Sequence, residues 1–234
     1  MTKKGLSLTG GALIGLALLT VGVTQAPRAA TREPAAGLSD VTRTEAQPAD
    51  AFGSAPIRLV TAHHGNTARY RVREQLARLD FPNDAVGETT SITGTLVLDD
   101  RGAVVRQESR FEVDLSTLKS DSDRRDNYIR RRTLQTDTYP KAVFVPTALR
   151  GAPNPLPTSG EFTFKLEGEL TIRDVTRPVT WDVTARASQG GYTGTAVTEF
   201  TFGTFNLEIP RVASVLSIRD NIRLEYDFHL VPQK

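Results

Sequence analysis

The chain has 234 residues, no cysteine and a formal net charge of +2. Without cysteine there is no disulfide framework, no thiolate zinc site and no lipid-modified N-terminal cysteine, and near-neutral charge argues against the basic domain or stripe that nucleic-acid binding needs. The length suits one sizeable domain, because all-β barrels commonly use about 200 residues as one unit.

Lys3 and Lys4 precede an apolar run from Leu6 to Val23 that only Ser, Thr and Gly interrupt. That length lies between a signal-peptide core and a membrane span of about 20 residues, so residues 1–26 are expected to be a signal peptide or an N-terminal membrane anchor. The two lysines before the run favour an N-terminus left in the cytoplasm, so the rest of the chain is expected outside it. Residues 27–55 shift to Ala, Pro, Thr and isolated charges without periodicity. Such a segment buries too little apolar surface to offset its ordering entropy, and it is expected to be a disordered Ala/Pro-rich linker that would span roughly 30 Å as a flexible coil.

From residue 56 to 234 the pattern is that of strands. Ile57–Ala62 and Thr67–Leu76 form a first pair, the second placing Ala68, Tyr70 and Val72 opposite Arg69, Arg71 and Arg73. Ile92, Leu96 and Leu98 follow, then a turn at Asp100-Arg101-Gly102 and a strand carrying Phe111, Val113 and Leu115. Ser120 to Asp123 supply helix-capping residues, and Arg125–Leu134 is expected to be a short helix that Tyr139-Pro140 closes off. Strands resume at Ala142–Phe144.

The longest alternation runs through Glu161–Arg186. Phe162, Phe164, Leu166, Leu170 and Ile172 share one face, and after a turn over Arg173–Arg177, with Pro178 opening the returning strand, Val179, Trp181, Val183 and Ala185 share one again. Tyr192–Phe202 and Ile222–Leu230 complete the set, the last alternating Ile222, Leu224, Tyr226, Phe228 and Leu230 without a fault. At least eight antiparallel strands and one short helix result, and closure into a barrel removes the two long edges an open sheet would expose. Gly94, Gly168 and Gly194 occupy apolar-parity positions, which serves either a hollow interior or barrel curvature.

Two segments of this chain, RDNYIRRRTLQTDTYPKAVF and GELTIRDVTRPVTWDV, resemble, in the same order and spacing, the R-D-x-H-L…Y-P-x-x-x-F and G-x-L-T-I-x-G-V-T-(K/R)-P-V motifs of the YceI-like polyisoprenoid-binding family. The resemblance covers roughly Ile57 to Val231. Asp174 stands where the family has glycine, Tyr128 where it has histidine, and Thr133-Leu134 where it has paired aromatics. The resemblance implies an all-β, antiparallel, lipocalin-like barrel holding a long-chain lipid, a polyisoprenoid or isoprenoid quinone. With the inward parity it nominates Tyr70, Val72, Leu96, Phe111, Phe144, Phe164, Leu166, Leu170, Trp181, Val183, Phe200, Phe202, Tyr226 and Phe228 as lipid-binding residues. The alternative is a filled barrel acting as a membrane-associated interaction module.

Catalytic signatures do not occur: there is no GxSxG elbow, Walker loop or dinucleotide fingerprint, and no convergence of ionisable residues on inward positions. His63 and His64 face opposite sides of a strand and cannot chelate one ion together. Between Lys119 and Arg132 six cations (Lys119, Arg124, Arg125, Arg130, Arg131, Arg132) face three acids (Asp121, Asp123, Asp126), a local excess of three. Arg124, Arg125, Arg130, Arg131 and Arg132 are therefore expected to meet a membrane surface beside the cavity mouth, unless they only solvate the helix. Leu207, Ile209, Val212, Val215 and Leu216, within Phe205–Leu216, are apolar residues expected to cover that mouth.

Overall fold

The computed structural model describes residues 56–233, so the expectations for residues 1–26 and 27–55 lie outside the described residues. Eleven strands follow one another: β1 (Ile57–Thr61), β2 (Thr67–Leu76), β3 (Asn83–Thr89), β4 (Ile92–Leu98), β5 (Arg110–Asp114), β6 (Lys119–Ser120), β7 (Lys141–Arg150), β8 (Gly160–Ile172), β9 (Val175–Ser188), β10 (Gly191–Phe200) and β11 (Val215–Pro232). One short helix, α1 (Asp123–Tyr128), separates β6 from β7.

Eight of these strands close on themselves. The antiparallel order β1-β4-β5-β7-β8-β9-β10-β11 returns to β1 through Leu59–Thr61 opposite Pro232–Leu230, leaving no free edge in the ring. β11 is long enough, at 18 residues, to take two neighbours in turn on one side. Its end pairs with β1, while Val215–Asp227 pairs with β2, which in turn holds β3, and β3 holds β6. The hand-over from β1 to β2 is fastened by Asn66, only 6% exposed. Its amide donates to Ala62 O at 2.8 Å and accepts from Tyr226 Oη at 2.7 Å and His229 N at 3.1 Å.

Period-two sequence becomes two-sided wall most plainly in β9, where Trp181, Val183, Ala185 and Ala187 are buried while Asp182, Thr184 and Arg186 between them are exposed. Several boundaries differ from expectation. The β8–β9 turn is only Arg173-Asp174, with Ile172 opposite Val175, and the left-handed residue in it is Arg173 (φ 57°) rather than Asp174. Pro178 is consequently inside β9, opposite Glu169. Because β10 pairs only with Asp182–Ser188, the strand has one neighbour at Pro178, an edge-like place that tolerates a missing N–H.

β3 carries no sequence signal, since Asn, Asp, Gly and Glu are poor strand formers and only Ala85 and Val86 supply apolar character; its pairing with β2 overrides them. The helix begins earlier and is shorter than Arg125–Leu134, with Ser122 Oγ accepting from Arg125 N as its cap. It runs into a wider π turn, Ile129–Leu134, that ends on left-handed Gln135. Leu115 and Phe202 each begin a 3-10 turn just beyond a strand rather than ending the strand itself.

Candidate functional site

The barrel is hollow. A cavity of about 920 Å³ occupies its interior, near the upper end of the range for small-molecule sites, which sets aside the filled barrel. Tyr70, Val72, Leu96, Phe111, Phe144, Phe164, Leu166, Leu170, Trp181, Val183, Phe200, Phe202, Tyr226 and Phe228 all line it. Residues from elements without strand periodicity join them: Leu118 before β6, Ile129 and Leu134 of the π turn, and Leu207, Pro210 and Val212 before β11. Ala85 of β3 was hidden with its strand.

Glycine keeps the interior open by letting aromatic rings lie flat on the wall. Gly94 sits opposite Phe111, Gly194 opposite Phe228 and Gly87 opposite Tyr70, and Gly168 lies diagonal to Phe144. A Cβ at Gly94 would stand 2.0 Å from the Phe111 ring, at Gly87 2.3 Å from Tyr70, at Gly168 2.4 Å from Phe144, and at Gly194 2.7 Å from Phe228. All four distances are far inside van der Waals contact, so a larger residue at Gly94 or Gly87 would push its ring into the lumen, whereas at Gly168 and Gly194 backbone oxygens stand about as close or closer, Val145 O at 2.5 Å and Thr184 O at 2.1 Å, and glycine also lets the strand backbone approach. The rings also brace one another: Phe144 meets Trp181 edge-on at 5.8 Å, and Phe111 meets Tyr226 edge-on at 6.3 Å.

In this apolar wall the buried donor Trp181 Nε1 has no hydrogen-bond partner in the protein. Burial pushes the Tyr70 phenol up to about 12, and Tyr226 and Tyr192 are also raised by burial. Beyond Tyr70 on the same inward row lies Glu74, 6% exposed, and the Arg125 guanidinium meets it at 2.8 Å. This corrects two expectations. Ionisable groups do reach the cavity, and Arg125 is not a free surface cation but is shared between Glu74 and Asp121. Arg130 is also engaged, donating to Leu118 O at 3.2 Å and Asn127 Oδ1 at 3.1 Å. Arg124, Arg131 and Arg132 remain exposed.

The histidines build no centre. His229 Nδ1 lies 3.2 Å from His64 O, and among the described residues no three His, Asp or Glu side chains cluster to hold a metal. No helix among the described residues is long and apolar enough to cross a membrane.

The architecture recurs in solved structures. A polyisoprenoid-binding domain from Saccharophagus degradans, implicated in plant cell wall breakdown, superposes with a TM-score of 0.59 at 11% identity, covering 76% of this chain and 99% of its own. BcnA of Burkholderia cenocepacia gives 0.52 at 17% identity over 70% of this chain and 94% of its own. The YCEI protein of Campylobacter jejuni gives 0.51 at 15% identity over 68% and 91%. No curated protein matches the chain. The model of the YceI-like domain matches residues 63–230, well over half the sequence, and the chain belongs to the YceI-like family.

Proposed function

We propose that this protein binds and carries a long-chain amphiphile, a polyisoprenoid or isoprenoid quinone, with the chain held in the barrel cavity and the domain outside the cytoplasm. The observation that carries the reading is the hollow interior of about 920 Å³, with Gly94 and Gly87 lying beneath the rings of Phe111 and Tyr70. Such a lumen suits a flexible apolar chain, whose burial is favourable by about 25 cal/mol per Å². The description of the Saccharophagus degradans relative as polyisoprenoid-binding supports the same class of ligand. Trp181 Nε1, a buried donor without a protein partner, favours a ligand that brings an acceptor oxygen, as a quinone carbonyl or an alcohol does. The apolar run Leu6–Val23 behind Lys3 and Lys4 supports export.

Binding rather than catalysis is the reading because the carboxylates that line the cavity, Glu74, Asp121 and Glu225, are already engaged by arginines, the first two by Arg125 and the third by Arg71 and Arg223. Trp181 is the one tryptophan and lines the cavity, so it reports occupancy. Protein stripped of lipid and titrated with an isoprenoid quinone should show Trp181 emission quenched to a plateau at one equivalent. Emission that stays indifferent to quinones and polyprenols alike contradicts the proposal. Location is tested separately, by N-terminal sequencing of the protein from membrane and soluble fractions and by protease access from outside.

A further inference from the structure

The cavity reaches the surface at one end. Its exposed lining residues are Arg78 just after β2, Asp121 just before α1, Arg124 in its first turn, and Arg211, Ala213 and Ser214 before β11. These three segments are tied together. Ala77 N donates to Ser214 O at 3.0 Å, Leu76 pairs with Val215, and Arg125 of α1 holds Glu74 of β2.

Among the described residues the large hydrophobic side chains left exposed are Leu79 (46%), Phe81 (79%), Ile209 (39%) and Leu216 (67%). Leu79 and Phe81 belong to the β2–β3 turn, Ile209 and Leu216 to the chain entering β11. Single exposed apolar residues scattered over a surface need no explanation, but here all four stand on segments that bound the mouth. Around them Arg78, Arg124 and Arg211 are exposed cations on the rim, with Arg131 and Arg132 following α1. Arg125 is offset by Glu74, which leaves Asp121, Asp123, Asp80 and Glu208 as exposed acids against the exposed cations Arg78, Lys119, Arg124, Arg131, Arg132 and Arg211. The net sign at the mouth is positive.

We propose that this mouth docks on a bilayer containing anionic lipid, with Phe81, Leu79 and Leu216 entering the interface and Arg78, Arg124 and Arg211 meeting the headgroups. Apolar tips flanked by cations gain from both burial and surface charge at such a boundary. A protein partner seated on the same tips would instead close the opening. On the carrier reading, docking in this orientation lets a lipid pass between bilayer and cavity without crossing water.

Because the chain contains no cysteine, Phe81→Cys accepts a single environment-sensitive fluorophore. Gln189→Cys, in the β9–β10 turn at the other end of the barrel, serves as the reference. The full chain is mixed with phosphatidylcholine vesicles with and without phosphatidylglycerol. The emission at 81 should move to the blue, more strongly with phosphatidylglycerol and less at high salt, while 189 stays aqueous; adding Leu79→Ser and Leu216→Ser should abolish the shift. Equal shifts at both sites, no shift at 81 in vesicle-bound protein, or a shift that grows with protein concentration in the absence of vesicles overturns the proposal, the last pointing to contact between copies. Native mass spectra of the same preparations separate the two readings. Lipid-filled protein without a shift removes docking alone, whereas a shift in protein that never holds lipid keeps docking and removes the carrier.

Discussion

Replacing Gly94 by alanine should cost the protein its ligand before it costs the fold. The new methyl would stand 2.0 Å from the Phe111 ring, and the ring must withdraw to at least the 3.4 Å of ordinary contact, a retreat of about 1.4 Å into the lumen. Overpacking of a filled core costs about 1–3 kcal/mol, but here the ring has the space of a 920 Å³ cavity to enter. Replacing glycine also stabilises by about 0.4–1 kcal/mol through the unfolded chain. The net loss should therefore stay below about 1 kcal/mol in urea unfolding, while lipid retention, read by native mass spectrometry, falls about tenfold. Adding Phe111→Leu shortens the displaced side chain and should restore retention, a coupling that a double-mutant cycle measures. A Gly94→Ala protein destabilised by more than about 3 kcal/mol with its lipid unchanged would mean that the ring has nowhere to go, and the hollow-barrel reasoning would fail.

Glu74→Ala leaves the half-buried Arg125 guanidinium with only Asp121 and the Ser120 hydroxyl beside it, so urea unfolding should show a loss of about 2–3 kcal/mol, while Glu74→Leu with Arg125→Met recovers most of it. Asn66→Ala deprives Tyr226 Oη, His229 N and Ala62 O of their shared partner and should lower stability by about 2–3 kcal/mol in the same assay. Of the five tyrosines, Tyr70, Tyr192 and Tyr226 are raised by burial. Because the unfolded phenol titrates near 10, their neutral forms stabilise the fold fully below about pH 10. That contribution disappears as pH climbs through the folded value, about 12 for Tyr70. Phenolate absorbance should accordingly show a late group that ionises with unfolding, and a single simple titration of all five near pH 10 would contradict the burial argument.

What the sequence disclosed followed from how far each contact reaches along the chain. Inward parity in β8 and β9 is a local, period-two property, and Phe164, Leu166, Leu170, Trp181 and Val183 stand where that period put them. The sequence leaves the role of Gly94, Gly168 and Gly194 open between curvature and space because what each one meets comes from a neighbouring strand: the Phe111 ring at Gly94, and both a ring and a backbone oxygen at Gly168 and Gly194. β3 was illegible for the opposite reason: its residues disfavour a strand and only the β2 ladder imposes one. Glu74 shares the parity of Tyr70 and Val72, yet its partner Arg125 lies 51 residues away, so the buried ion pair was invisible and the arginine looked like a surface cation. Phe81 and Leu79 sit in a turn without period, and only the fold brings the start of that turn, at Ala77, against Ser214 at the entry to β11.

The central claim, that the barrel is a container for one long-chain amphiphile, is tested most directly by a native mass spectrum of the intact protein purified without detergent. The account predicts a species heavier than the bare chain by one isoprenoid-type lipid, lost on organic extraction and regained when a polyprenol or isoprenoid quinone is added back. Protein that is reproducibly at its bare mass, and that takes up neither lipid after extraction, would contradict it.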